Sequence, residues 1–189
     1  MERKTKETDI RVYLNLDGSG KCSASTGVGF FDHMLEGFAR HGLFDLEVDC
    51  RGDLHVDCHH SIEDVGIALG QAFKKAVGDK SGIRRYGSCT LPMDETLILC
   101  AVDLSGRPFY ASDVVLPSPK IGDMESEMLR EFFYALSYSA EINLHFVHYR
   151  GENSHHIAEA CFKSIAKALA HAVCFDSRVD GVWSTKGAL

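Results

Sequence analysis

Two short segments combine adjacent histidines with a glutamate at a fixed spacing, and this combination can bind divalent metal ions. They are His59-His60-Ser61-Ile62-Glu63 and His155-His156-Ile157-Ala158-Glu159. Imidazole nitrogen with carboxylate oxygen suits borderline metals such as manganese, iron, nickel or zinc, and neither segment holds a thiolate that would favour a softer ion. One copy alone could equally be a solvated first helical turn whose acid interacts with the helix dipole. Because the pattern occurs twice, we interpret both segments as metal-binding.

Both segments open stretches of helical periodicity, which determines how their side chains can be used. Apolar residues recur at three- and four-residue steps after each histidine pair, which is typical of a helix with one buried face. Each residue advances about 100° around a helix, so Glu63 can pair with either histidine while His59 and His60 point apart. The two adjacent imidazoles therefore cannot easily share one ion. Each motif should serve two ions or two walls of a site.

The elements that position the first motif are indicated by hydrophobic patterns and turn residues. The expected order is a strand at 10–16, a hairpin turn at Asp17-Gly18-Ser19-Gly20, a return strand at 21–26, a helix with its apolar stripe at Phe30, Phe31, Met34, Leu35 and Phe38, a strand at 43–50, and the first motif helix.

The second half repeats this order, with the two motifs 96 residues apart. The expected elements are strand-like stretches at 88–103 and 109–115, a loop at 118–123, a helix with its stripe at Met128, Leu129, Phe132, Phe133 and Leu136, a strand at 142–149, and the second motif helix. This predicts an α+β fold of two repeated halves, residues 1–84 and 85–189, fused into one subunit. Each half should be a mostly antiparallel sheet covered on one face by helices.

The repeat adds two candidate metal ligands. Sliding the chain by 98 residues lays residues 30–35 over residues 128–133 with their apolar positions in register. His33 then matches Glu131, and both lie on the polar side of their helices. A lone histidine is more often a surface residue, but its repeat partner favours the ligand interpretation.

Composition excludes several classes of function. A formal net charge of −7 argues against nucleic acid or an anionic membrane as the main partner. No apolar run reaches the length of a membrane span, and residues 1–7 lack the apolar segment of a secretory signal. The seven cysteines are scattered and form no C-x-x-C pair, which indicates a reducing environment. We therefore expect a cytoplasmic protein.

Blocks of sequence spread over nearly the whole chain carry a family resemblance. They are Arg3–Thr8, Gly29–Leu35, Gly52–Leu54, Asp57–Asp64, Arg84–Gly87, Ser105–Pro108, Asn153–Glu159 and Ser184–Gly187. By these blocks the chain resembles the imidazoleglycerol-phosphate dehydratases of histidine biosynthesis. The resemblance implies a hydro-lyase with two Mn²⁺ per active site, a ribosomal protein S5 domain 2-like fold, and a homo-oligomeric 24-subunit shell with active sites between subunits.

The same resemblance implies roles for individual residues. The implied metal ligands are His33, His59, His60, Glu63, Glu131, His155, His156 and Glu159. Glu7 is the implied acid–base residue, and the implied contacts to the substrate and its phosphate are Glu7, Arg85, Arg107, Lys163, Ser184, Thr185 and Lys186. At one position the chain departs from a common family pattern, because many members have histidine where this chain has Glu131. A carboxylate there keeps a ligand and adds negative charge.

The implied reaction converts D-erythro-imidazoleglycerol phosphate to imidazoleacetol phosphate. The hydrogen that is removed lies next to no carbonyl, so the substrate's imidazole ring is the available electron sink. Two metal ions could hold the ring as imidazolate, which would help it to expel the adjacent hydroxyl. Glu7 would then move a proton near the hydroxyl-bearing carbons, and the guanidinium groups would bind the phosphate.

Two other functions remain open at this stage. The histidine clusters could join subunits in a metal-storage or structural assembly, although the basic set of Arg85, Arg107 and Lys186 would then have no purpose. Alternatively, a dinuclear metallohydrolase could use metal-bound hydroxide. Only dehydration would yield a ketone from imidazoleglycerol phosphate, so product analysis separates the three functions.

Overall fold

Two sheets and four long helices make up the computed structural model, which describes all 189 residues. The first half contains β1 (Glu2–Lys4), β2 (Thr8–Asn15), β3 (Cys22–Ser25), α1 (Gly29–Gly42), β4 (Asp45–Gly52) and α2 (His59–Val77). The second half contains β5 (Tyr86–Met93), β6 (Thr96–Asp103), β7 (Phe109–Ser112), β8 (Lys120–Ile121), β9 (Met124–Glu125), α3 (Met128–Ala140), β10 (Asn143–Arg150) and α4 (Ser154–Val173).

The two sheets have the same connectivity. The first has the strand order β1-β2-β4-β3, and the second has the order β5-β6-β10-β7. In each sheet the first three strands pair antiparallel, and the short last strand runs parallel to its neighbour. These observations confirm the predicted α+β fold of two similar, mostly antiparallel halves.

The helices of the two halves pack together and form the core. On β4, Leu46, Val48 and Cys50 are buried while the residues between them face outward, as their alternation predicts. Helix α1 of the first half packs on α4 of the second, and α2 packs on α3. The rings of Phe31 and Phe132 meet at a centroid distance of 5.1 Å across this helical layer. The chain therefore has one continuous core, and none of its helices combines the length and apolar character needed to cross a membrane.

The predicted hairpin between residues 10–16 and 21–26 is wrong. Both strands exist, but β4 lies between them and pairs antiparallel with β2 and parallel with β3. The loop after β2 is held to β4 instead, because Oδ1 of Asp45 accepts hydrogen bonds from the backbone nitrogens of Ser19 (2.8 Å) and Lys21 (3.1 Å). The Asp-Gly sequence thus predicts a turn, but it does not determine which strand pairs with β2.

Two further expectations need correction in the second half. The strand-like stretch at 88–103 is a hairpin, since β5 and β6 pair antiparallel around a turn at Asp94 and Glu95. The segment at 118–123, expected to be a loop, contributes to the short β8–β9 hairpin. Asp94 has φ +48°, a turn conformation that aspartate and asparagine tolerate better than most residues.

Candidate active site

Each histidine pair lies in the first turn of its helix, and a side chain just before the pair accepts a hydrogen bond from the backbone of that turn. Oδ1 of Asp57 accepts a hydrogen bond from the backbone nitrogen of His59 at 2.8 Å. Oδ1 of Asn153 accepts from the backbone nitrogens of His155 (2.9 Å) and His156 (3.3 Å). Such hydrogen bonds satisfy N–H groups that have no partner within the helix. Asn153 is the N-cap residue of α4, whereas Cys58, the N-cap residue of α2, forms no side-chain cap hydrogen bond, so the two motifs begin their helices in different ways.

Three of the predicted metal ligands converge within this single chain. Ligand atoms of His33 on α1 and of His155 and Glu159 on α4 all lie within 4.8 Å of one another. The rings of His33 and His155 have a centroid distance of 5.9 Å, and Phe30 packs edge-on against His155 at 5.1 Å. This convergence follows from the packing of α1 on α4 between the two halves. Two nitrogen donors and a carboxylate form a donor set that fits a borderline divalent cation.

Glu159 is the most enclosed member of this group, with a side chain 12 % exposed. Its Oε2 lies 3.2 Å from Nε2 of His155, and its Oε1 lies 2.7 Å from Nζ of Lys163. Burial acts to raise the pKa of Glu159, but Lys163, together with His33 and His155, holds this pKa below its ordinary value. The carboxylate is thus ionised and available as a ligand. Lys163, predicted to contact phosphate, is paired with Glu159 on its own helix.

The equivalent residues of the other motif are more open. Nε2 of His59 lies 3.7 Å from Oε2 of Glu63 one turn later, and both side chains are partly exposed. Glu131 lies on α3, the helix that packs on α2, and its Oε1 accepts a hydrogen bond from Arg130 at 2.9 Å. These three residues do not converge to the distance that joins His33, His155 and Glu159.

The second histidine of each pair is turned towards a carboxylate outside its motif. Nδ1 of His60 lies 3.0 Å from Oδ2 of Asp53, and Nδ1 of His156 lies 2.8 Å from Oε2 of Glu95. These hydrogen bonds raise the pKa of both imidazoles and, with backbone donors, lower the pKa of Glu95 to about 2. The two imidazoles of each pair therefore face different carboxylates, and their ring planes lie at 74° and 82° to each other in the two pairs.

Asp53 and Glu95 were not among the predicted site residues. Asp53 belongs to the Gly52–Leu54 block, which could have drawn attention to it. Glu95 lies in a stretch that resembles an ordinary strand, and no local pattern distinguishes it.

Glu7 lies on an anchored turn between β1 and β2. Its Oε2 is 4.0 Å from Nε2 of His60, and its side chain is 54 % exposed. The turn is fixed to α2 by the buried carboxylate of Asp64, which accepts hydrogen bonds from Arg3 Nε (2.8 Å) and Thr8 Oγ1 (2.5 Å). The hydroxyl of Thr5 also accepts hydrogen bonds from the backbone nitrogens of Glu7 and Thr8 at 3.0 Å each. The N-terminal arm is therefore held beside the first histidine pair.

The β8–β9 hairpin of the second half joins the N-terminal ends of α1 and α2. The carboxylate of Asp123 accepts hydrogen bonds from the backbone nitrogens of Gly29 (2.6 Å) and Phe30 (3.1 Å). The neighbouring Glu125 accepts one from the thiol of Cys58 at 2.8 Å. The ends that present His33 and His59 are thus linked through one small hairpin.

Most of the predicted substrate- and phosphate-binding residues lie in a different region, although Lys163 contacts Glu159 and Glu7 lies beside His60. The Arg85 side chain, 10 % exposed, forms two hydrogen bonds with Asp103 (2.7 and 3.1 Å) and one with the carbonyl oxygen of Trp183 (2.8 Å). This last contact brings Arg85 to the C-terminal tail that carries Ser184, Thr185 and Lys186. Ser184 and Thr185 line a cavity of about 550 Å³ that contains no predicted metal ligand. Arg107 and Lys186 are exposed.

The two groups of predicted residues are separated by the length of α4. The backbone nitrogen of Arg85 donates to the carbonyl oxygen of Ala172 near the end of α4, whereas His155 and His156 lie at its beginning. With a rise of 1.5 Å per residue, the two ends are roughly 24 Å apart. One small substrate cannot contact both groups on the same chain.

The comparison with protein families gives one match over most of the chain. A family model described as imidazoleglycerol-phosphate dehydratase matches residues 26–169. The chain is 57 % identical over 189 residues to the imidazoleglycerol-phosphate dehydratase of Lachnoclostridium phytofermentans, covering 100 % of this chain and 96 % of the relative. It is also 57 % identical over 189 residues to that of Acetivibrio thermocellus, covering 100 % and 97 %.

Solved structures of similarly named proteins share the fold. The imidazoleglycerol-phosphate dehydratase structure from Pyrococcus furiosus matches with a TM-score of 0.86 at 37 % identity and covers 100 % of both chains. The structure from Staphylococcus aureus matches with a TM-score of 0.83 at 35 % identity, covering 93 % of this chain and 98 % of that one.

Proposed function

This chain belongs to the imidazoleglycerol-phosphate dehydratase family, and on that basis we propose how its residues divide the work of the reaction. It is a lyase of histidine biosynthesis that dehydrates imidazoleglycerol phosphate. The finer proposal is a dinuclear manganese centre, with Glu7 as the acid–base residue and a basic set that binds the phosphate.

The observation that carries the metal proposal is the convergence of His33, His155 and Glu159 on one another. Their imidazole nitrogens and carboxylate oxygen suit manganese, and no cysteine lies among them to favour a softer metal. These three residues would hold one ion. By the repeat, Glu131 on α3 with His59 and Glu63 on α2 would hold the second, because α2 packs on α3 as α1 packs on α4.

When bound, the ions would supply Lewis-acid stabilisation of the substrate's imidazole ring. Glu7, held beside His60 by its anchored turn, exchanges a proton through its carboxylate at the hydroxyl-bearing part of the glycerol chain. The guanidinium of Arg107 and the ammonium of Lys186, which are exposed, bind the phosphate oxygens, with the hydroxyls of Ser184 and Thr185 beside them. Arg85 fixes the tail through the Trp183 carbonyl oxygen and adds positive charge there.

The active site lies between subunits of a homo-oligomer in this proposal. The length of α4 supports it, since the metal motif and the basic set occupy opposite ends of that helix and cannot meet within one chain. A neighbouring subunit would bring its basic end to the metal end of the first. His60 and His156, which turn away from the glutamates of their own motifs, would complete the ion sites of that arrangement.

The test is to incubate the manganese-loaded protein with imidazoleglycerol phosphate and identify the product. We expect imidazoleacetol phosphate, recognised by its ketone, and loss of turnover when a chelator removes the metal. Release of inorganic phosphate without ketone would identify a metallohydrolase. Metal uptake with no product would identify a storage or structural assembly.

A pair of variants on one helix sharpens this test. His155→Ala removes a member of the converging group and should abolish turnover and weaken manganese uptake. His171→Ala changes an exposed histidine near the other end of α4, which contacts Arg84, and should leave manganese uptake unchanged. Equal manganese uptake by the two variants would contradict the assigned ligands.

A further inference from the structure

Two carboxylates outside the motifs make the same contact at the second histidine of each pair. Both oxygens of Asp53 approach Nδ1 of His60, at 3.0 and 3.2 Å, and Oε2 of Glu95 approaches Nδ1 of His156 at 2.8 Å. The other ring nitrogen, Nε2, has only carboxylate oxygens beyond hydrogen-bond distance, at 4.0 Å from Glu7 and 3.7 Å from Asp94. In both histidines Nδ1 has a hydrogen-bond partner and Nε2 has none.

The duplication of the chain does not explain this shared contact. Asp53 follows β4 and precedes its histidine by 7 residues, whereas Glu95 lies in the β5–β6 turn and precedes its histidine by 61. The two carboxylates therefore occupy non-equivalent positions in the two halves. Similar contacts supplied from different places indicate a requirement of the histidines themselves.

The chemistry of imidazole identifies that requirement. A neutral imidazole carries one N–H, and an ionised carboxylate can only accept, so the proton of each ring lies on Nδ1. The lone pair is then on Nε2, which is the form that a metal ion needs, and the hydrogen bond also fixes the plane of the ring.

We propose that Asp53 and Glu95 are positioning residues for the metal centre, which hold His60 and His156 in the tautomer and orientation that present Nε2 to a divalent cation. This inference rests on the proposed function, since it assumes that both histidines bind metal. It assigns no direct metal contact to either carboxylate.

The two carboxylates have different surroundings, and this makes the proposal testable. Oε1 of Glu95 already accepts hydrogen bonds from Thr96 Oγ1 (3.0 Å) and from the backbone nitrogens of Asn153 (3.0 Å) and Glu152 (3.3 Å). In Glu95→Gln the single carbonyl oxygen is needed by these donors, so the amide NH₂ faces Nδ1 of His156. That group can only donate, so the imidazole proton must move to Nε2. Nε2 then has no lone pair with which to bind the metal ion.

Asp53→Asn should behave differently, because both carboxylate oxygens of Asp53 approach the same ring nitrogen. The asparagine can turn its carbonyl oxygen to Nδ1 and preserve the tautomer. Asp53→Ala leaves Nδ1 without an acceptor, so His60 is free to place its proton on either nitrogen.

The experiment titrates the full-length metal-free protein with Mn²⁺ and measures the free ion by its electron paramagnetic resonance signal. We expect Glu95→Gln to weaken manganese binding about 10- to 100-fold, Asp53→Ala to weaken it clearly, and Asp53→Asn to stay close to the unmodified protein. The matched control is Glu152→Gln, which removes the same charge from a neighbouring loop and has no hydrogen bond or ion pair from its side chain. It should bind manganese normally.

The outcomes separate this inference from the proposed function. An unmodified protein that takes up no manganese would overturn both. Normal manganese uptake by the unmodified protein, with equally tight binding by Glu95→Gln and Asp53→Ala, would overturn the positioning role alone. Thermal melting of each metal-free variant detects misfolding, and recovery of affinity from Asp53→Ala to Asp53→Asn is a result that general loss of structure would not produce. Equal weakening by those two Asp53 variants would therefore count against tautomer control.

Discussion

At the scale of single residues, the two imidazoles of each pair make different contacts although they are adjacent in sequence. The first histidine lies beside the glutamate one helical turn later, at 3.7 Å for His59 and 3.2 Å for His155. The second is rotated away by the helical step and contacts a carboxylate from elsewhere in the fold. One motif thus presents imidazole nitrogens in two directions, as the proposed centre between subunits would require.

The role of Glu7 can be tested by removing its charge with little change of shape. Glu7→Gln should lower kcat by about 100-fold or more, because the amide cannot exchange a proton, while KM changes little. Steady-state kinetics with manganese in excess measures both constants. The control is Glu2→Gln on the same arm, whose side chain is highly exposed and lies 3.8 Å from Arg11. Near-normal kcat in Glu7→Gln would refute the assignment.

The basic residues should separate into binding and structural effects. Arg107→Glu should raise KM about 10-fold or more without changing the free energy of unfolding, because this exposed side chain has no ion-pair partner in the chain.

Arg85→Ala should instead lower the free energy of unfolding by about 3 kcal/mol, because it leaves the Asp103 carboxylate without its partner. Kinetics and urea unfolding of both variants check these expectations. An unchanged KM in Arg107→Glu would contradict phosphate binding.

At the scale of elements, long-range side-chain contacts decide which strands become neighbours. Asp45, the first residue of β4, fixes the loop after β2 with one carboxylate oxygen, which accepts from Ser19 Oγ as well as from the backbone of Ser19 and Lys21. These hydrogen bonds, the backbone ones being the largest cause, hold the pKa of Asp45 below its ordinary value. The loop is thereby directed across β4 to its far side, where β3 lies.

The lowered pKa of Asp45 predicts a pH-dependent contribution to the free energy of unfolding. Because its pKa is lower in the folded than in the unfolded chain, its stabilisation is fully present above the unfolded value of 3.8 and is lost as the pH falls through the folded value. Asp45→Asn keeps the accepting oxygen and removes the charge. The variant should therefore be less stable than the unmodified protein at neutral pH, and the difference should vanish in strong acid. Urea unfolding of the metal-free proteins across this pH range measures it, and a difference that stays constant with pH would contradict the prediction.

The elements that depend on local periodicity were predictable, and those that depend on distant partners were not. The stripes at Phe30–Phe38 and Met128–Leu136 predicted α1 and α3, and the histidine motifs predicted the starts of α2 and α4. The pairing of β3 with β4 depends on contacts more than twenty residues apart, and the contact between Glu95 and His156 spans 61 residues. No local pattern encodes such distances. His155 and Glu159 could be named from sequence because their motif occurs twice, and His33 because the repeat matches it with Glu131. Their convergence depends on the packing of α1 on α4, which no local pattern encodes.

At the scale of the whole molecule, the repeated halves place corresponding ligands on helices that pack against each other across the halves. Helices α1 and α4 bring His33, His155 and Glu159 together, and the β8–β9 hairpin links α1 to α2. Contacts within one chain therefore position the ends of α1, α2 and α4 that carry the predicted metal ligands. The basic set at the other end of α4 is organised separately, around Arg85 and the tail.

Manganese should link assembly to activity. If ligands from different chains meet at the ions, adding Mn²⁺ to the metal-free protein should raise particle mass and turnover together, because each ion closes an interface and completes a site. Light scattering and product formation followed along one titration would measure both. Full-size particles in the presence of a strong chelator would contradict the dependence of assembly on metal.

Expression of two inactive variants in one cell would test whether the two ends of α4 from different chains form one active site. One copy would lack Glu159 at the beginning of the helix, and the other would lack Arg107 beside its far end. Neither copy alone should support growth without added histidine. Together they should support growth, because a mixed oligomer can form an active site from Glu159 of one chain and Arg107 of another. If each chain formed a complete active site by itself, the cell that carries both variants would fail to grow without histidine, as the cells with one variant do.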